Sequence, residues 1–480
     1  MSIIIPANSA AAAGSLVTNS LRFNSASSDY LTRTPSSATN RKTCTLSVWV
    51  KRSGIGDRQT IMAQTVDGSN ETFIWFDTND ELFLKESGEA SYELRTNRKF
   101  RDPSAWYHIV MAIDTTQSSG GNRIKLYING VQETSVANAT DPSLNDDTRW
   151  NSTTPINIGR INYGSEYYGG YLSELVWIDG QALAPTSFGE FDGDSNIWKP
   201  IDVSGLTFGT NGFYLQFKKS GTGQNASGLG ADTSGNTHHF AVNNLTAVDQ
   251  STDNCQTNFA TWNPLVKTNS TVSLTNGNLI GSQATNASYY GIVATMFPTS
   301  GKWYAEMKFT SLGTVQTGFI TEGTFIDGDR NLYSSSSSLY WQSGSTSIST
   351  VLKSSGVTTV VSGGSNSTSA FNSTNDLLMY AWDVDNGRAW FGINGTWQNS
   401  GNPAGPTNWW SLPSDYADGV GLFTTLCGCG VGTATVNLNT GSAPFAISSG
   451  NSDGDGFGNF EYAVPSGYFA LNTKNLAEYG

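Results

Sequence analysis

Residues that break helices recur so densely along this chain that a helix of ordinary length has nowhere to sit. Glycine alone fills 52 of 480 positions, and few long stretches lack Gly, Pro, Asn or Ser. A glycine costs about 1 kcal/mol in a helix interior relative to alanine, and Ser and Asn bond their own backbone in competing conformations. Short strands joined by tight turns are what such a sequence can build. The length divides into two or three domains. Aromatic residues, at 12%, suffice to fill sandwich cores and leave some for a surface.

Residues 21–188 read as successive strands. CTLSVWVKRS alternates Leu46, Val48 and Val50 against Ser47 and Trp49. WYHIVMAID is a longer apolar run, suited to burial on both faces. RIKLYINGVQ alternates again and ends in Asn129-Gly130, a type I′ hairpin signal. YLSELVWIDGQAL closes the segment with a strand and an Asp-Gly turn. A period near 2 on many strands predicts an antiparallel sandwich. Before it, residues 1–20 form an Ala-rich arm with little to bury, either loose or ordered by a partner. After it, residues 189–258 read as a connector carrying one or more strands, with Phe213–Phe217 among them. Residues 259–480 read as a second β domain. There SGKWYAEMKF sets Trp303, Ala305 and Met307 on one face, and DLLMYAWDVDNGRAWFGINGTW forms hairpins turning at Asp385-Asn386-Gly387 and Asn394-Gly395.

A net charge of −13 with no basic stripe excludes a phosphate backbone as partner, so no nucleic acid is expected. An anionic membrane surface is disfavoured for the same reason unless divalent cations bridge. No apolar run approaches the length that spans a bilayer, so no membrane insertion is expected. The opening MSIIIPANSAAAAGSLVTNS lacks the basic start of a secretory signal, and Pro6 and Asn8 interrupt its apolar run. Folding in a reducing cytoplasm is therefore the expectation. Cys44, Cys255, Cys427 and Cys429 are too sparse for a disulfide framework. Without a second pair or a nearby His, Cys427 and Cys429 make a poor zinc site and read as small core residues.

Retaining glycoside hydrolases need two carboxylates about 5–5.5 Å apart on one strand face. The nearest pattern is Glu190-Phe191-Asp192-Gly193-Asp194, which ends one methylene short and sits among turn residues. Asp192, Asp194 and Asn196 read better as a clustered oxygen set for Ca²⁺, although Val203 falls where the terminal Glu of a twelve-residue calcium loop belongs. An Asp-rich solvated turn is the plainer alternative. No cofactor other than this calcium is expected. The three histidines, His108, His238 and His239, support no Ser-His-Asp arrangement. Aromatics in loop-like segments are free to stack on sugar rings. These are Trp150, Tyr163, Tyr167 and Tyr168, with Trp409 and Trp410 in PTNWWSLP. Trp49, Trp106, Trp177, Trp303, Trp382 and Trp390 lie in strands and read as core.

The ordered set F…DYL…TLSVWVKR…WYHIV…D…KLYINGV…IG…GYLSELVWIDGQAL across 21–188 resembles the laminin-G-like branch of the concanavalin-A-like lectin/glucanase superfamily. The set GKWYAEMKF…GFI…YAWDVDNGRAWFGINGTW…GNPA…VNLN…PF…VPSGYFALNT across 259–480 is similar to SPRY-like domains, especially those ending phage structural proteins. Residues 331–370 depart from that pattern with a Ser-rich run, read as a protruding hairpin. The Gly/Asn-rich run GTGQNASGLGADTSGNTHHFAVNNLTAVDQ resembles one in many tailed-phage virion proteins. These resemblances imply an all-β fold class, with two concanavalin-A-like/SPRY-like antiparallel β-sandwich (jelly-roll) domains in tandem. They imply a virion protein, made in the host cytoplasm, that binds host-surface glycan or protein without catalysis. Its other partners would be further virion proteins and its own copies, as a homo-oligomer in the particle. Capsid decoration or a joint without a receptor role is the alternative, and a glycan-degrading enzyme the remoter one.

Overall fold

The structure, a computed structural model, describes residues 16–267, 272–283, 290–321, 338–345, 348–352, 356–358, 368–413, 416–418, 421–427 and 433–480. They divide into two compact units, with the boundary between Thr257 and Asn258.

The first unit is all β. Its strands begin with β1 (Ser20–Phe23), β2 (Tyr30–Arg33), β3 (Thr43–Arg52), β4 (Gln59–Asp67), β5 (Asn70–Phe76) and β6 (Glu81–Ser87). They continue with β7 (Tyr92–Lys99), β8 (Trp106–Asp114), β9 (Ile124–Ile128), β10 (Val131–Gln132), β11 (Val136–Thr140) and β12 (Ile156–Ile158). Last come β13 (Gly170–Asp179), β14 (Gly189–Phe191), β15 (Trp198–Pro200), β16 (Phe213–Leu215), β17 (Ala241–Asn243) and β18 (Gln250–Ser251). One eight-stranded sheet runs β10-β9-β8-β3-β13-β1-β18, with β16 also beside β13. A second eight-stranded sheet runs β11-β7-β6-β5-β4-β12-β2-β17. Their inner faces share one core, with Leu46, Val48, Val50, Ile109 and Met111 on one side and Met62, Ile74, Phe76, Leu82 and Leu84 on the other. Fully burying each such side chain contributes roughly 1.5–3 kcal/mol. Asn129 and Gly130 take φ of 48° and 79°, the left-handed pair that a type I′ turn needs.

The connector read from sequence at 189–258 is, as far as Thr257, built into this unit. It supplies β16 and β18 to the first sheet and β17 to the second. It also covers the outer face of the first sheet, which is why every residue of β13 is buried. Trp198 donates through Nε1 to His108 Nδ1 at 2.9 Å, and His108 Nε2 meets Ser47 Oγ at 2.8 Å. Lys51 Nζ donates to Asp253 Oδ2 at 2.8 Å, and Trp106 Nε1 donates to Asp253 Oδ1 at 3.1 Å. The polar side of β3, Ser47 and Lys51, thus meets partners rather than water. A few well-placed side chains do this in a stretch whose Gly/Asn composition suggests only a linker. The arm also ends earlier than residue 20. Val17 is buried beside Trp49, Trp198 and Cys255, and Ser20 pairs with Ser251.

The second unit stacks a seven-stranded sheet on a nine-stranded one, counted among the described residues. Trp303, Ala305, Met307, Leu378, Tyr380 and Trp382 fill the space between them. Leu377–Asp383 pairs antiparallel with Arg388–Ile393, as the hairpin pattern predicts. Asn394 and Gly395 repeat the left-handed turn at φ 48° and 83°. Of 331–370, the described parts include Ser338–Gln342, Ile348–Leu352 and Gly356–Thr358. These form consecutive antiparallel strands at one edge of the seven-stranded sheet.

Candidate ligand-binding face

On β5, Ile74 and Phe76 point into the core, so the period of 2 turns Glu71, Phe73 and Trp75 outward. The same rule turns Phe83 and Lys85 outward on β6. Register then sets two rows across the outer face of the second sheet. Asn157, Ala63, Phe73 and Lys85 form one, and Thr60, Trp75, Phe83 and Arg95 the other. Phe73 and Trp75 stack with centroids 3.8 Å apart, and Phe83 meets Phe73 edge-on at 5.5 Å. Guanidinium groups cap the rings, with Arg58 5.3 Å from Trp75 and Arg95 4.1 Å from Phe83. Such contacts contribute about 0.5–1 kcal/mol each at exposed sites.

The loop joining β12 to β13 lies across this face. It leaves β12 at Gly159, whose φ of +87° no β-branched residue adopts comfortably and whose Cβ would meet the Phe23 ring at 2.8 Å. Ile161 is fully buried among Ala63, Phe73, Trp75 and Phe83. Asn162 Nδ2 donates to Thr65 O at 2.7 Å, and Thr65 Oγ1 donates back to Asn162 Oδ1. The Tyr163 hydroxyl donates to Glu71, itself held by Lys85 at 2.7 Å. Burial, and then that carboxylate, push the Tyr163 phenol above its ordinary range. The Tyr163 ring nevertheless stays 45% exposed. Tyr167 is half-buried, 6.5 Å from Tyr30, and Arg160 lies 3.6 Å over the Tyr30 ring. Trp75 Nε1, Asn157 Nδ2 and Thr60 Oγ1 are buried with no hydrogen-bond partner among the described residues. Phe73, Trp75 and Phe83 are themselves 1%, 8% and 6% exposed beneath Ile161, so the rings this face presents are those of Tyr163 and Tyr167, which with the charges around them suit a polar ligand with an apolar flank.

Of the aromatics read as ligand contacts, Tyr163 and Tyr167 reach this face. Trp150, Tyr168 and Trp410 do not, because each is fully buried. Trp150 donates to the Tyr92 hydroxyl at 2.8 Å and packs 5.2 Å from Trp177. The Tyr168 hydroxyl donates to Lys51 O at 3.1 Å, and Trp410 sits 5.7 Å from Phe391. Loop position suggested free rings, but packing across the chain claims them. Trp409, in the second unit, is half-buried under Arg388 at 4.1 Å.

The turn read as a calcium set is internally bonded. Asp192 Oδ1 accepts from the backbone N–H groups of Asp194 and Ser195, and Oδ2 takes Lys199 Nζ at 3.0 Å. Those bonds hold the Asp192 carboxyl well below the usual range. An ammonium and a turn already use the oxygens a cation would need, while Asp194 and Asn196 stand exposed. Among the described residues no group of three or more His, Cys, Asp or Glu could hold a metal ion. Glu190 is 3.4 Å from the same Lys199, so two of the three acids at this hairpin share one ammonium. Cys427 ends a strand, and Cys429 lies outside the described residues. His108 is buried between Trp49 and Trp198, and burial pushes it down to about 3. His238 Nε2 meets Thr210 O at 2.8 Å, and His239 Nδ1 accepts from the Asp232 backbone N–H at 3.0 Å.

Sequence reasoning passed over Arg58, Phe73, Trp75, Phe83, Asn157 and Arg160. The available signal was NETFIWF, which is apolar at both parities although Glu71 opens its outward side.

Residues 25–186 match the family model described as the concanavalin A-like lectin/glucanases superfamily. No curated protein matches the chain in sequence. Among solved structures, the SPRY domain of human HERC1 is 15% identical with a TM-score of 0.27, covering 37% of this chain and 96% of that one. A SAP-like pentraxin from Limulus polyphemus is 16% identical with a TM-score of 0.26, covering 36% of this chain and 80% of its own. Domains LG4-5 of the mouse laminin alpha1 chain are 8% identical with a TM-score of 0.30, covering 96% and 89%. The family description spans both lectins and glucanases, so it assigns no activity. The chain is almost all-β, built of antiparallel sandwiches, and its residues 25–186 are similar to concanavalin A-like lectins and glucanases.

Proposed function

We propose that this chain is a tailed-phage virion protein, carried on the particle as a short appendage, that binds host-surface glycan during adsorption. The observation that carries the binding reading is the outer face of the second sheet. There Tyr163 stands 45% exposed with its hydroxyl on Glu71, and half-buried Tyr167 lies 6.5 Å from Tyr30. A sugar offers an apolar ring flank and a hydroxyl rim, which aromatic faces and polar side chains match together. The virion setting rests on the likeness of the Gly/Asn-rich run at 221–250 to runs in phage proteins. The chain acts by binding without bond cleavage and needs no cofactor. Its partners are the host glycan, other virion proteins and further copies of itself. Many copies turn weak single contacts into useful avidity.

The test is competition. Purified chain at saturating concentration should slow adsorption of the phage that encodes it, and Tyr163→Ala should weaken that effect. Unchanged adsorption with folded protein, together with antibody labelling of the capsid rather than the tail, would favour a decoration role instead.

A further inference from the structure

We infer that this face reads a sugar bearing an oxyanion, and that Arg160 is the residue that reads it. The inference rests on the proposed glycan reading and names the class of sugar. Arg160 follows β12, its guanidinium carbon lies 3.6 Å from the Tyr30 ring centroid, and it donates through Nε to Asn157 Oδ1 at 3.2 Å. The other cations of the face are matched by carboxylates. Arg58 is 3.9 Å from Glu166, Arg95 is 2.7 Å from Asp77 and Lys85 is 2.7 Å from Glu71. Among the described residues Arg160 has no such ion pair. A guanidinium stacked on a ring keeps its N–H edge in plane, and that edge matches a carboxylate or phosphate bidentately.

Asn157, 1% exposed, accepts from Arg160 Nε through Oδ1 and so holds the guanidinium in place. The outward positions beside Asn157 in register, Thr32 and Ala241, are small. Tyr30 and Tyr167, 6.5 Å apart, supply ring faces for the sugar flank. The chain's net charge of −13 does not forbid this, since charges beyond about 8–10 Å are largely screened at physiological salt.

Ligand-observed NMR titration of the full chain tests the inference with three probes: glucuronate, glucuronamide and glucose 6-phosphate. Glucuronate should bind about tenfold more tightly than its uncharged amide, and Arg160→Gln should remove that preference at an unchanged melting temperature. Arg160→Lys should restore only part of it. Tighter, Arg160-dependent binding of glucose 6-phosphate than of glucuronate would assign the oxyanion to phosphate. Equal binding of acid and amide, insensitive to Arg160→Gln, overturns the inference and leaves the glycan reading standing. Folded protein that binds none of the three probes overturns both.

Discussion

Acid should loosen the layer that residues 189–257 lay over the first sheet, and His108 sets the window. Its ring is buried between Trp49 and Trp198, its Nδ1 accepts from Trp198 Nε1 at 2.9 Å, and it is pushed from 6.5 down to about 3. A proton on Nδ1 would face another N–H group and a buried positive charge with no carboxylate beside it. The folded value lies below the unfolded one, so the unfolded chain binds more protons between them. This contribution is therefore complete above pH 6.5 and is lost as pH falls toward about 3. Over the whole window the gap corresponds to about 5 kcal/mol, and to about 2.5 kcal/mol by pH 4.5. Glu86 and Glu174, pushed by burial from 4.5 up to about 7, act in the opposite sense. Their folded values exceed the unfolded ones, so their contribution is complete below 4.5 and lost as pH rises through about 7. The wild-type profile alone therefore mixes both effects, and the comparison with His108→Gln separates them. Urea unfolding of both proteins from pH 7.5 to 4.5 should show wild type more stable at neutral pH. That advantage should shrink by about 2.5 kcal/mol across the range. Parallel profiles, with a constant difference, would refute the reasoning.

Asp253 holds Lys51 in a pair whose side chains are each only 1% exposed. Asp253→Ala should cost about 3–5 kcal/mol in denaturant unfolding, because it strands a buried ammonium. Cys44 and Cys255 are both buried as thiols, so reductant should leave the melting temperature unchanged, and a drop of several degrees would contradict that. Calorimetry with Ca²⁺ should give no heat that Asp192→Ala abolishes, since Lys199 occupies the Asp192 carboxylate at 3.0 Å. A specific site lost in that variant would restore the calcium reading.

The sandwich was legible because strand period and turn chemistry are local. CTLSVWVKRS places Leu46, Val48 and Val50 in the core as its alternation requires, and both Asn-Gly turns adopt the left-handed pair they signal. What escaped was non-local. Nothing in a Gly/Asn-rich stretch announces that Trp198 will reach His108 or that Asp253 will reach Lys51, 202 positions away. Tyr163 and Tyr168 lie in one loop and look alike in sequence. One ends up 45% exposed and the other fully buried, because Tyr168 bonds Gly159 O through its backbone N–H and Lys51 O through its hydroxyl and packs edge-on to Phe23. The aromatic face was hidden for a related reason. Phe73 and Trp75 share a strand with core Ile74 and Phe76, and only the register across β4, β5 and β6 shows which side each one serves.

The central claim is that the outer face of the second sheet is where this chain meets glycan. The direct measurement is binding of the purified chain to polysaccharide extracted from the host surface, comparing wild type with a Tyr163→Ala, Arg58→Ala double variant of unchanged melting temperature. Both side chains stand on that face, with Tyr163 45% exposed and the Arg58 side chain 53% exposed, so neither change should disturb the core. The account predicts that affinity falls at least about tenfold, or roughly 1.4 kcal/mol. Binding by the double variant that equals wild type would place the ligand elsewhere and contradict it.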